Sequence, residues 1–244
     1  MPPPPKTVSR ADPRPSREVR LQTRPSSPIT PNGRWQPSPG HAPAVAGCIA
    51  IALITVWLTG MGQNSVAASL MLVDPRAFPW EAFNSFGGRL EAVLATLSGG
   101  QVWRLISPDF LHFSWTHLIF NSVMLWFLGS QVEWMDGRAR LLVLFVVASL
   151  VSNVFQYLVA GPLFGGLSGV VYGVLAYCWL SQRRWPRFQF PPALVTFALV
   201  WLVLGYTPLP ETLGLGRMAN EAHLGGFLAG LACAAFLPVP RRRA

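Results

Sequence analysis

Residues 141–182 read LLVLFVVASLVSNVFQYLVAGPLFGGLSGVVYGVLAYCWLSQ, 42 positions without Asp, Glu, Lys or Arg. A bilayer crossing takes about 20 apolar residues, so the run holds two. It is interrupted once, at Ala160-Gly161-Pro162-Leu163-Phe164-Gly165-Gly166, where clustered Gly and Pro mark a turn. The pattern predicts one helix over 139–159 and another from Ser168 to Leu180. Four more charge-free runs flank this one: 35–73, 110–132, 188–210 and 222–240, of 39, 23, 23 and 19 residues. They place further helices over 44–61, 110–130, 190–206 and 220–237. The expectation is an all-α membrane protein, a bundle of six transmembrane helices with a long first extracytoplasmic loop over 62–109.

Composition supports this. The 244 residues are 51% hydrophobic and 12% charged, against about 25% charged in soluble domains. The net charge is +9, but the basic residues are terminal or in loops, as membrane topology predicts and nucleic-acid binding does not. With the N-terminus inside, 15 of the 19 basic residues fall on the cytoplasmic side. Both termini are therefore expected in the cytoplasm. No internal repeat suggests a repeat-built transporter.

Residues 1–40 hold 11 of the 23 prolines and seven basic residues. They read as a disordered basic tail, a solvated linker and not a signal peptide, since 40 polar positions precede the first apolar run. The expected organisation is tail 1–42, membrane domain 43–238 and basic end 239–244. Cys48, Cys178 and Cys233 match no metal spacing and read as small core residues.

Polar groups inside spans are costly and often functional. His112 and His117 are five apart, about 140° around a helix, and share no face. No acidic residue joins them, so no metal site and no cofactor is expected. His117 and Asn121, at i and i+4, do share a face. They suit either helix–helix hydrogen bonding or donation into a site. Ser168 follows a Gly-rich break and opens a helix, where it can serve as an N-cap or as a nucleophile in a field that favours negative charge. From Ser168 to Gln182 is 15 residues, about 22 Å of helix. That puts Ser168 roughly 8 Å below the outer edge of an approximately 30 Å hydrocarbon layer. A non-helical loop at that depth must line a cavity or be buried in protein. Gly226 and Gly230 form a G-x-x-x-G pair that permits close packing. His223, three positions before Gly226, shares that face and can meet Ser168.

Assembled, these residues resemble the bacterial rhomboid intramembrane serine proteases over about residues 100–237. Trp103-Arg104 looks like the family's W-R pair. His112, His117 and Asn121 match H-x4-H-x3-N, Glu133 and Gly137 match E-x3-G, Gly166-Leu167-Ser168-Gly169 matches G-x-S-G, and Ala222-His223 with Gly226 and Gly230 matches A-H-x-x-G-x3-G. The resemblance implies a catalytic dyad of Ser168 as nucleophile and His223 as base, with no carboxylate. It implies an oxyanion hole of His117, Asn121 and the Ser168 N–H. Tyr172 would pack under the His223 ring, and Gly166 would give the loop room. Gly169 and His112 would support the site, while Phe120 and Trp201 would face each other where substrate enters. The implied partners are transmembrane protein substrates and the lipid bilayer, in a bacterial inner membrane.

The chain departs from the pattern in three places. Pro108 and Asp109 stand where some members carry a further histidine. From Trp201 to His223 is 22 residues, longer than in compact members, with the excess in 207–218. Glu221 beside the start of the last helix is also less usual. Two other readings compete: an inactive relative that binds client helices, and a small proton-conducting transporter. An inactive relative usually lacks the serine or histidine, and a proton path would use acidic groups absent from these spans.

Overall fold

The computed structural model describes residue 1 and residues 27–29, 34–212 and 217–238. The chain divides into two compact units, Met1–Gln36 and Pro37–Ala244. Within the first, Ile29 and Trp35 form one β-bridge. Most of the tail read as disordered, and the basic end 239–244, lie outside the described residues.

The second unit is helical. Its helices are α1 (Pro43–Thr59), α2 (Ser65–Leu70), α3 (Phe86–Ser98), α4 (Trp115–Met124), α5 (Ser130–Met135), α6 (Arg138–Ala160), α7 (Ser168–Arg184), α8 (Pro192–Leu204), α9 (Leu209–Thr212) and α10 (Asn220–Phe236). A π-turn, Leu125–Gly129, joins α4 to α5 without a break. The second predicted helix therefore starts later than 110. The Ser114 hydroxyl accepts the His117 N–H and caps α4, which leaves His112 in the preceding coil.

Among the described residues, α6 alone has both the length and the hydropathy to cross a bilayer unaided. α1 and α8 are apolar but have 17 and 13 residues. α1 starts with Pro43 at its first position, and its free Ala44 and Val45 N–H groups donate to the Glu133 carboxylate at 3.0 Å. An anion suits a helix N-terminus. That contact explains the glutamate of E-x3-G. Gly137, four residues on, turns the chain from α5 into α6 with φ +96°, a conformation glycine adopts without penalty.

The long loop is packed rather than loose. Leu72, Val73, Phe83, Ala92 and Val93 form a small core with Tyr157 and Phe164. Buried Arg104 donates to the Ala68 and Met71 carbonyls at 3.0 and 2.7 Å. It ties the 3-10 turn Val102–Leu105 to α2. Close by, Arg76 hydrogen-bonds Asp74 and holds its carboxyl below the usual range.

α7 sits in the centre and packs most extensively on α10, then α6. A methyl group on Gly226 would lie 1.9 Å from the Gly169 carbonyl oxygen, and one on Gly230 2.0 Å from that of Gly173. These are backbone contacts that no side chain can accommodate. Gly226→Ala should therefore destabilise the fold by about 2–3 kcal/mol, the upper part of the overpacking range. Gly47→Ala, with nothing within 4 Å of the added carbon, should leave the melting temperature in detergent unchanged or slightly raised. A Gly226→Ala protein melting like the native one would show that α7 and α10 can separate freely.

Candidate active site

The loop 161–167 leads into α7 so that Ser168 is its first residue, with Leu167 at the cap position. Leu167 has no side-chain capping bond, and the serine hydroxyl stands one position past the cap. It meets His223, with Oγ 2.9 Å from Nε2. His223 lies in the first turn of α10 and is buried. The two residues come together because the glycine contacts clamp α7 to α10 directly below them.

His223 Nδ1 has no hydrogen-bond partner. Among the described residues no carboxylate orients the ring. Tyr172, one turn along α7 from Ser168, lies flat against it, with centroids 4.6 Å apart and planes 16° from parallel. The Tyr172 hydroxyl donates to the Ala198 carbonyl of α8 at 2.9 Å, which fixes the tyrosine in turn.

Gly166 has φ +116°, and its missing side chain is where α4 approaches. A methyl group there would lie 2.8 Å from His117 Nε2 and 3.5 Å from Asn121 Nδ2. Both donors thus flank the loop that presents Ser168. His112, though outside the helix, packs behind them. Its ring centre is 5.0 Å from that of His117, its Nδ1 is 3.2 Å from the Phe110 carbonyl oxygen, and its Nε2 is 3.3 Å from Asn121 Nδ2. With Nδ1–H donating to the carbonyl, Nε2 accepts one amide N–H of Asn121 and leaves the second for the site. Among the described residues no three His, Cys, Asp or Glu side chains converge as a metal set would.

Not every predicted residue joins this cluster. Trp201 stacks on Phe197 of its own helix, with centroids 6.0 Å apart, and Phe120 is half-exposed on α4. No ring contact links Phe120 to Trp201 among the described residues. Of the extended loop before α10, 207–212 and 217–218 are described and 213–216 are not.

Several residues of the site's scaffold escaped the sequence reading. Gln156 accepts the Ala222 N–H at 3.0 Å, one residue before His223. Asn153 holds the chain ahead of α4, and Ser152 packs against Gly169. Ser149, Ser152, Asn153 and Gln156 follow i, i+3, i+4, i+7, one face of a helix. That polar stripe in an apolar segment was readable. A search confined to charges and histidines passes over it.

In the described helical bundle a half-buried Ser168 meets the buried His223 at the N-termini of two helices, with His117 and Asn121 beside them. A sequence model of the family described as "Rhomboid domain" matches residues 99–239, more than half of the chain, and the protein belongs to the rhomboid family. It is 45% identical over 133 residues to the rhomboid protease GlpG of Serratia proteamaculans (strain 568), an alignment covering 54% of this chain and 46% of that protein. It is 44% identical over the same extent to the GlpG proteins of Yersinia pestis (strain Pestoides F) and Yersinia pseudotuberculosis serotype O:3 (strain YPIII). The match spans about half the length of these curated relatives.

If stacking orients His223, Tyr172→Ala should slow fluorophosphonate labelling of Ser168 by about two- to tenfold, the worth of one ring pair. Tyr172→Phe keeps the ring and loses only the bond to Ala198. It should label at close to the native rate and cost about 1 kcal/mol of stability. Equal labelling rates in Tyr172→Ala and the native protein would remove the orienting role.

Proposed function

We propose that the protein is an intramembrane serine endopeptidase that cleaves transmembrane segments of other membrane proteins. The observation that carries this reading is the 2.9 Å contact of the half-buried Ser168 Oγ with Nε2 of the buried His223. A serine hydroxyl is a weak nucleophile and needs a base at this distance.

Ser168 Oγ attacks the scissile carbonyl carbon while its proton passes to His223 Nε2. The resulting oxyanion takes hydrogen bonds from His117, from the free Asn121 N–H and from the Ser168 backbone N–H, at the N-terminus of α7 where the helix field favours negative charge. His223 returns the proton to the leaving amine, and the C–N bond breaks. Water then attacks the acyl ester with His223 as base, releasing the new carboxyl terminus and restoring Ser168. Phe120 and Trp201 line the proposed substrate entrance. A substrate helix must unwind locally, because helical hydrogen bonds occupy its carbonyls.

We further propose a six-span bundle with both termini in the cytoplasm of a bacterial inner membrane. The distribution of side chains supports it. Outward faces carry Trp57 of α1, Val143 and Val159 of α6 and Val203 of α8, all exposed. The interior holds His112, Asn121, Ser149, Ser152, Asn153, Gln156 and His223. Apolar residues outside and polar residues inside suit a lipid solvent. The bilayer and transmembrane substrates are the proposed partners, with no cofactor required.

The test is cleavage of a generic single-span substrate by purified protein in liposomes, followed by mass spectrometry of the fragments. Ser168→Ala and His223→Ala should each lower kcat by about 10⁴-fold or more. Asn121→Ala should lower it by about 10²–10³-fold, the worth of one oxyanion donor. Undiminished cleavage by Ser168→Ala would overturn the assigned nucleophile.

A further inference from the structure

Asp109 is fully buried, and the chemistry above gives it no task. It sits in the 3-10 turn Ser107–Phe110, which packs against α1, α6 and α7. Asn153 Nδ2 of α6 donates to Asp109 Oδ1 and to the Leu105 carbonyl, both at 3.0 Å. One amide therefore holds two consecutive turns of the chain against α6. Asp109 Oδ2 and the Ser149 hydroxyl, one turn before Asn153, have no hydrogen-bond partner among the described residues.

The neighbouring residue leads to the active site. The Pro108 carbonyl accepts the Gly166 N–H at 2.9 Å. Gly165 lies so close that a methyl group on it would be 2.6 Å from Leu111 Cβ and 3.0 Å from the Pro108 carbonyl oxygen. The loop that delivers Ser168 thus rests on the turn that Asp109 anchors. The path from Asn153 through Asp109 and Pro108 to Gly166 ends two residues short of Ser168. Burying a carboxyl is costly, and an apolar residue would fill the space without that penalty. The polar anchor fixes where the turn sits, which apolar packing alone leaves free to slide.

We infer that Asp109 is a positioning residue: with Asn153 it locks the 3-10 turn so that the Pro108 carbonyl sets Gly166 and thereby aims the Ser168 hydroxyl and N–H. The inference rests on the protease reading for its kinetic consequence, but its structural core is separable from that reading.

The experiment compares native protein, Asp109→Ala, Asp109→Asn, Asn153→Ala and the double variant Asp109→Ala/Asn153→Ala in detergent. Hydrogen exchange at Gly166, read by mass spectrometry, reports the lock without any need for activity. Cleavage of the single-span substrate gives kcat and KM. Asp109→Ala and Asn153→Ala should each speed Gly166 exchange and lower kcat by about tenfold or more, with KM within about twofold. The double variant should be no worse than either single one, because the two act as a unit. Asp109→Asn still offers an oxygen to Asn153 and should stay within about threefold of native kcat. Native exchange at Gly166 in Asp109→Ala would overturn the inference, as would a kcat loss that Asp109→Asn shares in full or a loss confined to KM. Should Asp109→Ala fail to fold, Asn153→Ala carries the same comparison. A native protein that cleaves nothing yet shows the exchange pattern would sink the protease reading and leave the lock standing.

Discussion

Gly226 and Gly230 of α10 lie so near Gly169 and Gly173 of α7 that any side-chain carbon would fall 1.9 to 2.0 Å from a carbonyl oxygen. Two backbones are in direct contact, and almost everything else about the site follows from that. Ser168 and His223 are 55 residues apart in sequence and stand on different helices. Ser168 Oγ and His223 Nε2 meet because the helices beneath them cannot be further apart without losing contact, nor closer without collision. Between helices in lipid no hydrophobic effect draws apolar surfaces together, so close van der Waals packing of small residues has to supply the attraction.

The second organising feature is the polar face of α6. Its outward side is apolar, while Ser149, Ser152, Asn153 and Gln156 point inward and are buried. Three of them reach a neighbour that matters for the site: Ser152 meets Gly169 of α7, Asn153 the turn before α4, and Gln156 the Ala222 N–H beside His223. Such a helix is a template on which α7, α10 and the turn before α4 are registered. Its hydrogen bonds have direction, which packing of Leu and Val lacks.

The same reasoning bears on the proposed Ser168–His223 dyad, which has no third member among the described residues. His223 Nδ1 is unpartnered among the described residues, and its ring lies against the flat face of Tyr172, itself held by the Ala198 carbonyl of α8. An aromatic plane restricts ring tilt without introducing a buried charge. A carboxylate in this setting would carry a desolvation cost that few neighbouring groups could offset. The link from Tyr172 to α8 also couples the dyad to the helix that carries Trp201.

Helix positions were legible because membrane solvent imposes long charge-free runs, and Gly/Pro clusters mark where they break. The structure departed most where local hydrogen bonds decide the ends: Ser114 starts α4 later than hydropathy suggests, and a π-turn carries the helix on to Met135. Ser168, His223, His117 and Asn121 stood out as polar residues at glycine breaks and on helix faces, while Tyr172 and the roles of all five came only from the family resemblance. Their distances were not legible, nor were the roles of Asp109, Asn153 and Gln156, nor the service of Glu133 to the first turn of α1. By itself the sequence determined the helices, the polar residues within them and the small residues that let two backbones touch, because those are properties of composition and period. Only the tertiary structure decided which face of each helix meets which partner. That choice depends on contacts between residues distant in the chain, and no local pattern encodes their geometry.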